Sequence, residues 1–352
     1  MKVAIVFASN LWFAPYIQNY TKLLDKWGIN YELIYWDRFL EEPNKPNVFS
    51  CIPSKGKISK YVDYYRFSQF VKNRIISEKF DKVIISGPQT ALLLRSFLTK
   101  TFKGKYILDY RDLSIEQIPI MKWRYKALLK NSYANVISSP GFADYLPQGY
   151  KFLISHNFDI DLVKKALTTT VQPFSIEPIK ILTIGGIRDY SSNSEEIIAL
   201  SNVENVKMDF VGKGPSKEAL EKLANEIGTK NITFTGYYEK KDEVDIVLKS
   251  SFMNIYYPKI KSHSSALSNR FYNSLMYCRP MIVTKGGVQG NYAEKYHVGI
   301  SIDSADQILG EIKKWIETVN FVEYQENCKK LLEEFLNDYE SFKESVYNFI
   351  LG

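Results

Sequence analysis

The stretch Ser262-His263-Ser264-Ser265-Ala266-Leu267-Ser268-Asn269-Arg270-Phe271-Tyr272-Asn273-Ser274-Leu275-Met276-Tyr277-Cys278-Arg279-Pro280-Met281-Ile282-Val283-Thr284 changes character twice. It opens as a loop of small polar residues, continues as a helix with Arg270 and Asn273 on its first turns, and passes through Pro280 into a β-rich run. A helix leading into a short apolar strand is one step of an alternating βα chain, which folds as a parallel sheet covered by helices. In such sheets ligands bind where helix N-termini present unpaired N–H groups at the carboxyl ends of strands. Small residues at 264–268 leave those groups uncovered, so a diphosphate fits there with Arg270 alongside. Residues three apart share a helix face, so Asn273 reaches the same ligand.

Outward from this stretch the same alternation continues. Strands are expected at Ile179–Ile184, Lys207–Val211, Asn231–Thr235, Phe252–Tyr257, Met281–Thr284 and Gly299–Ile302. A helix after the second opens with Gly214-Pro215 and carries Ala219, Leu223 and Ile227 on one face. Upstream, strands are expected at Val3–Ala8, Tyr31–Trp36, Lys82–Ser86, Tyr106–Asp109, Asn135–Ser138 and Phe152–Ser155. Between them the run 62–79 places Tyr64, Phe67, Val71 and Ile75 at helical spacing. Residues 168–178 lose all periodicity and contain Pro173 and Pro178, which reads as a linker. The fold class is therefore α/β, with two Rossmann-like, doubly wound parallel-sheet domains over 1–167 and 179–337.

A chain of 352 residues has room for two such cores. Its 45% hydrophobic and 24% charged residues describe a globular protein, and no apolar run approaches bilayer length. Met1-Lys2 leads straight into the first strand, so no signal peptide is expected. Three scattered cysteines (Cys51, Cys278, Cys328) and three histidines show no ligand spacing, which argues for a reducing, cytoplasmic setting without a metal site. A net charge of +7 suits an anionic ligand or an acidic surface.

Two further loops carry binding chemistry. Ile184-Gly185-Gly186-Ile187-Arg188-Asp189 lets backbone approach a ligand and puts an arginine fork just beyond. Phe234-Thr235-Gly236-Tyr237-Tyr238 ends a strand with an aromatic pair that suits a base. Separately, the helix from Glu116 to Lys130 sets Lys122, Lys126 and Lys130 four apart, with Trp123 and Arg124 adjacent. That basic, aromatic-flanked face fits peripheral contact with an anionic membrane at its inner surface, or a plain solvated face.

The run from Ser268-Asn269-Arg270-Phe271 through Arg279-Pro280-Met281-Ile282-Val283-Thr284 resembles the donor-site helix of family 4 and related retaining glycosyltransferases. Asp209-Phe210-Val211-Gly212-Lys213-Gly214-Pro215 and Asn231-Ile232-Thr233-Phe234-Thr235-Gly236 are similar to the two preceding segments of that family, in the same order. The likeness covers roughly 180–303. In the first domain it is looser, through Asp109-Tyr110-Arg111-Asp112-Leu113 and His156-Asn157-Phe158-Asp159.

The resemblance implies the GT-B fold, two facing Rossmann-like domains with the acceptor in the first, the donor in the second and the reaction in the cleft. It further implies that the C-terminal helix 338–352 packs back onto the first domain. Implied donor contacts are Gly186, Arg188, Tyr237, Tyr238, Ser264, Ser265, Leu267, Ser268, Asn269, Arg270 and Asn273. Asn10, Arg111 and Asp112 would face the acceptor, and Asp112, Arg188 and Arg270 would serve catalysis. The donor would be a nucleotide sugar, UDP-linked, and the acceptor a bacterial surface glycan, lipid-linked or protein-linked; nucleic acid is not an expected partner.

Family members usually carry two glutamates where this chain has Ser265 and Asn273, and a lysine near Asn193 is also missing. No Asp-x-Asp pair is convincingly placed for a metal, so leaving-group charge falls to Arg188, Arg270 and backbone donors, without a cofactor. Two alternatives stand beside the transferase. One is a nucleotide-sugar 2-epimerase of the same fold, for which the chain offers only His156, His263 and His297. The other is a non-catalytic glycan-binding or chaperone-like subunit of a transferase complex.

Overall fold

The computed structural model describes residues 1–43 and 45–352. The chain forms two compact units, residues 1–157 with 337–352, and residues 158–336. The second unit thus begins at Phe158, ahead of the stretch read as a linker, because Val163 of the helix Ile160–Thr168 is fully buried in a cluster with Phe271, Tyr272 and Leu331.

In the first unit seven strands form a parallel sheet: β1 (Lys2–Phe7), β2 (Asn30–Asp37), β3 (Val48–Ser50), β4 (Lys82–Ser86), β5 (Tyr106–Tyr110), β6 (Ala134–Ile137) and β7 (Leu153–Ile154). Their order is β3-β2-β1-β4-β5-β6-β7. Val3, Ala4, Ile5 and Val6 are all at 0% exposure. Consecutive burial is what a strand with helices on both faces requires, and it explains the unbroken apolar runs. The short edge strand β3 has no counterpart among the expected strands; it lies between Pro46 and Pro53, and prolines so close on both sides read as loop.

The long helix Phe321–Leu351 ends inside this unit. Phe342 is buried against Tyr20, with ring centroids 5.1 Å apart, and Asp338 reaches Nε2 of the buried His156 at 3.0 Å.

The second unit repeats the pattern with six parallel strands: β8 (Ile179–Gly186), β9 (Val206–Lys213), β10 (Ile232–Thr235), β11 (Phe252–Ile255), β12 (Met281–Thr284) and β13 (Gly299–Ile302). The order β10-β9-β8-β11-β12-β13 reverses direction between β8 and β11. Each sheet is therefore doubly wound, and the reversal opens a crevice at the carboxyl ends of the two strands flanking it. The helix after β9 runs Lys217–Ile227, two residues beyond Pro215, and Gly228 closes it in the left-handed region at φ 74°.

Candidate active site

A cavity of about 260 Å³ occupies the reversal point of the second sheet. Ile184, Gly185 and Gly186 at the end of β8 form one side, and Tyr257, just past β11, another. Gly185 holds φ +93°, open to glycine, and turns the chain out of the sheet. The Ile187 amide then bonds to the Lys213 carbonyl at 3.0 Å, tying this loop to the end of β9.

Arg270 starts the helix Asn269–Met276 and is 8% exposed. Its Nε donates to the Ile184 carbonyl at 2.6 Å, Nη2 to the Gly186 carbonyl at 3.0 Å and Nη1 to the Asn254 carbonyl at 3.3 Å. All three acceptors are neutral, and among the described residues no carboxylate forms an ion pair with this guanidinium. A guanidinium carries five N–H groups, so two remain directed by a rigid frame. Arg188 lines the same cavity from an exposed position, folded back over Gly186, where an added Cβ would meet its Nε at 3.1 Å.

The other charges in the cavity are paired. Asp189 Oδ1 lies 3.1 Å from His263 Nε2, and the His263 ring stacks on Tyr257 with centroids 5.0 Å apart. Lys240 pairs with Glu243. Glu243 also accepts from the Tyr238 hydroxyl at 2.7 Å and from Asn273 Nδ2 at 3.1 Å. Lys240 offsets Glu243, and the two arginines outnumber the remaining carboxylate, Asp189, so the cavity carries a net positive field suited to an anion. Behind Arg270, the fully buried Glu196 accepts from Asn254 Nδ2 at 2.8 Å, and burial pushes its carboxyl up to about 8.

Of the residues read from sequence, Gly186, Arg188, Tyr238, Ser268, Asn269, Arg270 and Asn273 line this cavity. Four do not. Tyr237 points to solvent at 64% exposure with the Lys213 ammonium 5.0 Å over its ring, since neighbouring residues leave an extended chain on opposite sides. Leu267 packs into the core with Phe271 and Tyr296. The Ser265 hydroxyl donates to the Lys261 carbonyl at 2.8 Å, and Ser264 lines a small neighbouring recess beside Gly287. Nor is the helix start bare: Ser268 Oγ accepts from the Phe271 amide at 3.3 Å and donates to Gln289 Oε1 at 2.8 Å.

Glu243, Gln289 and Lys240 are lining residues with no place in the sequence reading, and Asp189 and His263, quoted there without a donor role, line the cavity as well. A glycine pair after β12, Gly286-Gly287, was the available signal for Gln289; Glu243 had none.

In the first unit, Asn10 and Arg111 are engaged by their own neighbours. Asn10 Nδ2 donates to Asp37 Oδ1 at 2.8 Å, and its Oδ1 accepts from the Arg38 amide at 2.8 Å. Arg111 Nη2 donates to the buried Asp109 at 2.7 Å and Nη1 to the Ser155 carbonyl at 2.8 Å, with the guanidinium 4.3 Å above the Tyr16 ring. Asp112 is exposed just beyond. Lys126 and Lys130 are exposed and Lys122 is half-buried on the helix Pro119–Asn131, beside Trp123 at 70% exposure. Among the described residues no helix is long and apolar enough to cross a membrane, and no three His, Cys, Asp or Glu side chains are grouped to hold a metal.

No family profile and no curated protein matches the sequence. Solved structures do match. Sucrose-phosphate synthase from Thermosynechococcus elongatus superposes with a TM-score of 0.72 at 10% identity, over 99% of each chain. A lipopolysaccharide outer core galactosyltransferase, WaaB, gives 0.66 at 14% identity over 99% of each chain. Anabaena HepE, solved in complex with UDP and glucose, gives 0.62 at 11% identity, over 99% of this chain and all (100%) of that one. The chain has the fold of these glycosyltransferases, the GT-B type with two Rossmann-like parallel-sheet units.

Proposed function

We propose that the chain is a retaining glycosyltransferase taking a sugar from a UDP-linked donor to a bacterial surface glycan, lipid-linked or protein-linked, at the cytoplasmic side of a membrane. The observation that carries this reading is Arg270: a buried cation whose hydrogen bonds all go to neutral carbonyls, in the crevice where doubly wound sheets take ligands, with Arg188 lining the same cavity. That arrangement wants a diphosphate, whose oxygens accept the remaining N–H groups in charge-assisted bonds. HepE, with the same fold, was solved with UDP and glucose, and WaaB is a lipopolysaccharide galactosyltransferase.

As the glycosidic bond breaks, negative charge grows on the departing diphosphate. Donors fixed before that moment stabilise it without reorganising, which is where Arg270 acts. Arg188 closes from the exposed side. Asn273, held by Glu243, contacts the ribose, and Asp112 orients the acceptor. The leaving phosphate takes the acceptor proton, so no strong general base is needed. Lys122, Lys126 and Lys130 hold the enzyme to anionic lipid.

Thermal shift tests the site. UDP at 100 times its Kd adds about 2.7 kcal/mol of stability, while a nicotinamide dinucleotide adds none. Equal shifts with both, or none with either, remove the donor site. A non-catalytic subunit would bind UDP yet neither hydrolyse nor transfer the sugar of any UDP-sugar offered.

A further inference from the structure

At the opposite, amino edge of the second sheet lies a larger cavity of about 650 Å³, within the range of small-molecule sites. The residues that precede the three central strands form it: Ser175 before β8, Ser250 before β11 and Arg279 before β12. It shares no lining residue with the cavity holding Arg270.

Two properties of the lining pull in different directions. Much of it is apolar, with Phe174, Leu248 and Met276 among its walls, yet Lys165, Lys249 and Arg279 also face it and no carboxylate does. Arg279 is 3% exposed. Its Nη2 donates to the Leu248 carbonyl at 2.7 Å and Nη1 to the Tyr277 and Cys278 carbonyls, both at 3.1 Å. Its Nε has no partner among the described residues, and Phe174 covers the guanidinium at 5.3 Å.

A buried cation without a counter-charge is costly, and proteins normally supply an acid or a bound anion. Here the chain supplies no acid. An inorganic anion would answer the charge and leave the apolar walls uncovered. A neutral hydrophobe would cover the walls and leave the charge. One molecule with both an anionic head and an apolar chain satisfies the whole lining.

We propose that this cavity binds a single-chain amphiphile with an anionic head, set among Arg279, Lys165 and Lys249, and its chain along Phe174, Leu248 and Met276. The head is a phosphate monoester or a carboxylate. The claim stands whatever the first cavity binds, since the two share no residue.

Calorimetry of the full chain with monomeric dodecyl phosphate and, separately, dodecanoate tests it. At least one should saturate a single site at least tenfold more tightly than dodecyl maltoside, and a hundredfold more tightly than inorganic phosphate. Whichever of the two binds better identifies the head. Lys165 and Lys249 are exposed, so the K165E/K249E double variant keeps its fold and should weaken binding tenfold or more. Phe174→Ala should weaken the dodecyl ligands and leave inorganic phosphate unaffected. Equal affinity for the maltoside, unchanged binding in the double variant, or no saturable binding overturns the proposal.

Discussion

Both sheets reverse their strand order once, and both place a buried arginine near the carboxyl edge, yet the two edges have opposite fates. In the first unit Arg111 meets Asp109, the Ser155 carbonyl and the Tyr16 ring, so its charge is neutralised inside the chain. In the second, Arg270 donates its hydrogen bonds to carbonyls alone and lies 5.7 Å from the Tyr257 ring, with no carboxylate paired to it among the described residues. The same residue type in the same kind of crevice is thus tied to a carboxylate in one place and left without one in the other. What separates them is whether the chain provides the carboxylate.

The comparison predicts different losses. Arg111→Met should cost about 3–5 kcal/mol of stability, because it strands a buried carboxylate, and leave the UDP affinity of the folded fraction unchanged. Denaturant melts and UDP titration read the two quantities separately. Arg270→Ala should instead lower kcat/KM by roughly a hundredfold or more, with Arg270→Lys recovering only part because an ammonium cannot reproduce the fork. Wild-type kinetics in a folded Arg270→Ala protein would make both arginines structural.

Glu196 sharpens the contrast, being a buried acid close enough to feel the charge of Arg270. Burial raises its carboxyl to about 8 in the folded protein, above the ordinary value of 4.5. Between those values the folded state holds a proton that the unfolded state has released. Stability from this group is therefore present below about pH 4.5 and lost as pH rises toward 8. Glu196→Gln should remove that slope, gaining on the order of 5 kcal/mol over wild type near pH 8.5. Parallel pH profiles for variant and wild type would mean that Glu196 is ionised and is the missing partner of Arg270.

Two smaller effects follow. Changing Lys122, Lys126 and Lys130 together to Glu should weaken binding to anionic vesicles at low salt, with the gap closing at high salt; unchanged binding returns that face to solvent. Chelation by EDTA should leave turnover unchanged if the arginines carry the leaving-group charge, and a loss restored by magnesium would sink that account.

Twelve of the thirteen strands could be read from apolar runs bounded by turn residues, because a strand buried on both faces writes its burial directly into composition. The exception, β3, is set between Pro46 and Pro53, whose punctuation masks it as loop. The site was legible where it hangs on strand ends and a helix start, as with Gly186, Arg188 and Arg270. It was illegible where side-chain direction decides, so Tyr237 and Leu267 were expected inside a cavity they turn away from. Glu243 enters through a contact spanning thirty residues, to Asn273, and no local pattern announces such a partner.

The ends of β8 and β9 lie closer than any side chain would allow. A Cβ on Gly212 would fall 2.0 Å from the Gly185 carbonyl oxygen, and one on Gly214 would fall 2.0 Å from that of Ile187. Neither obstacle is a flexible side chain that could swing aside; each is main chain of the loop at the end of β8 that lines the crevice. The wall of the crevice is therefore set by two residues that contribute no atom to its lining. Any change in what the crevice admits must therefore come from the side chains around it, such as Tyr238, His263 or Gln289, while the two glycines stay as they are.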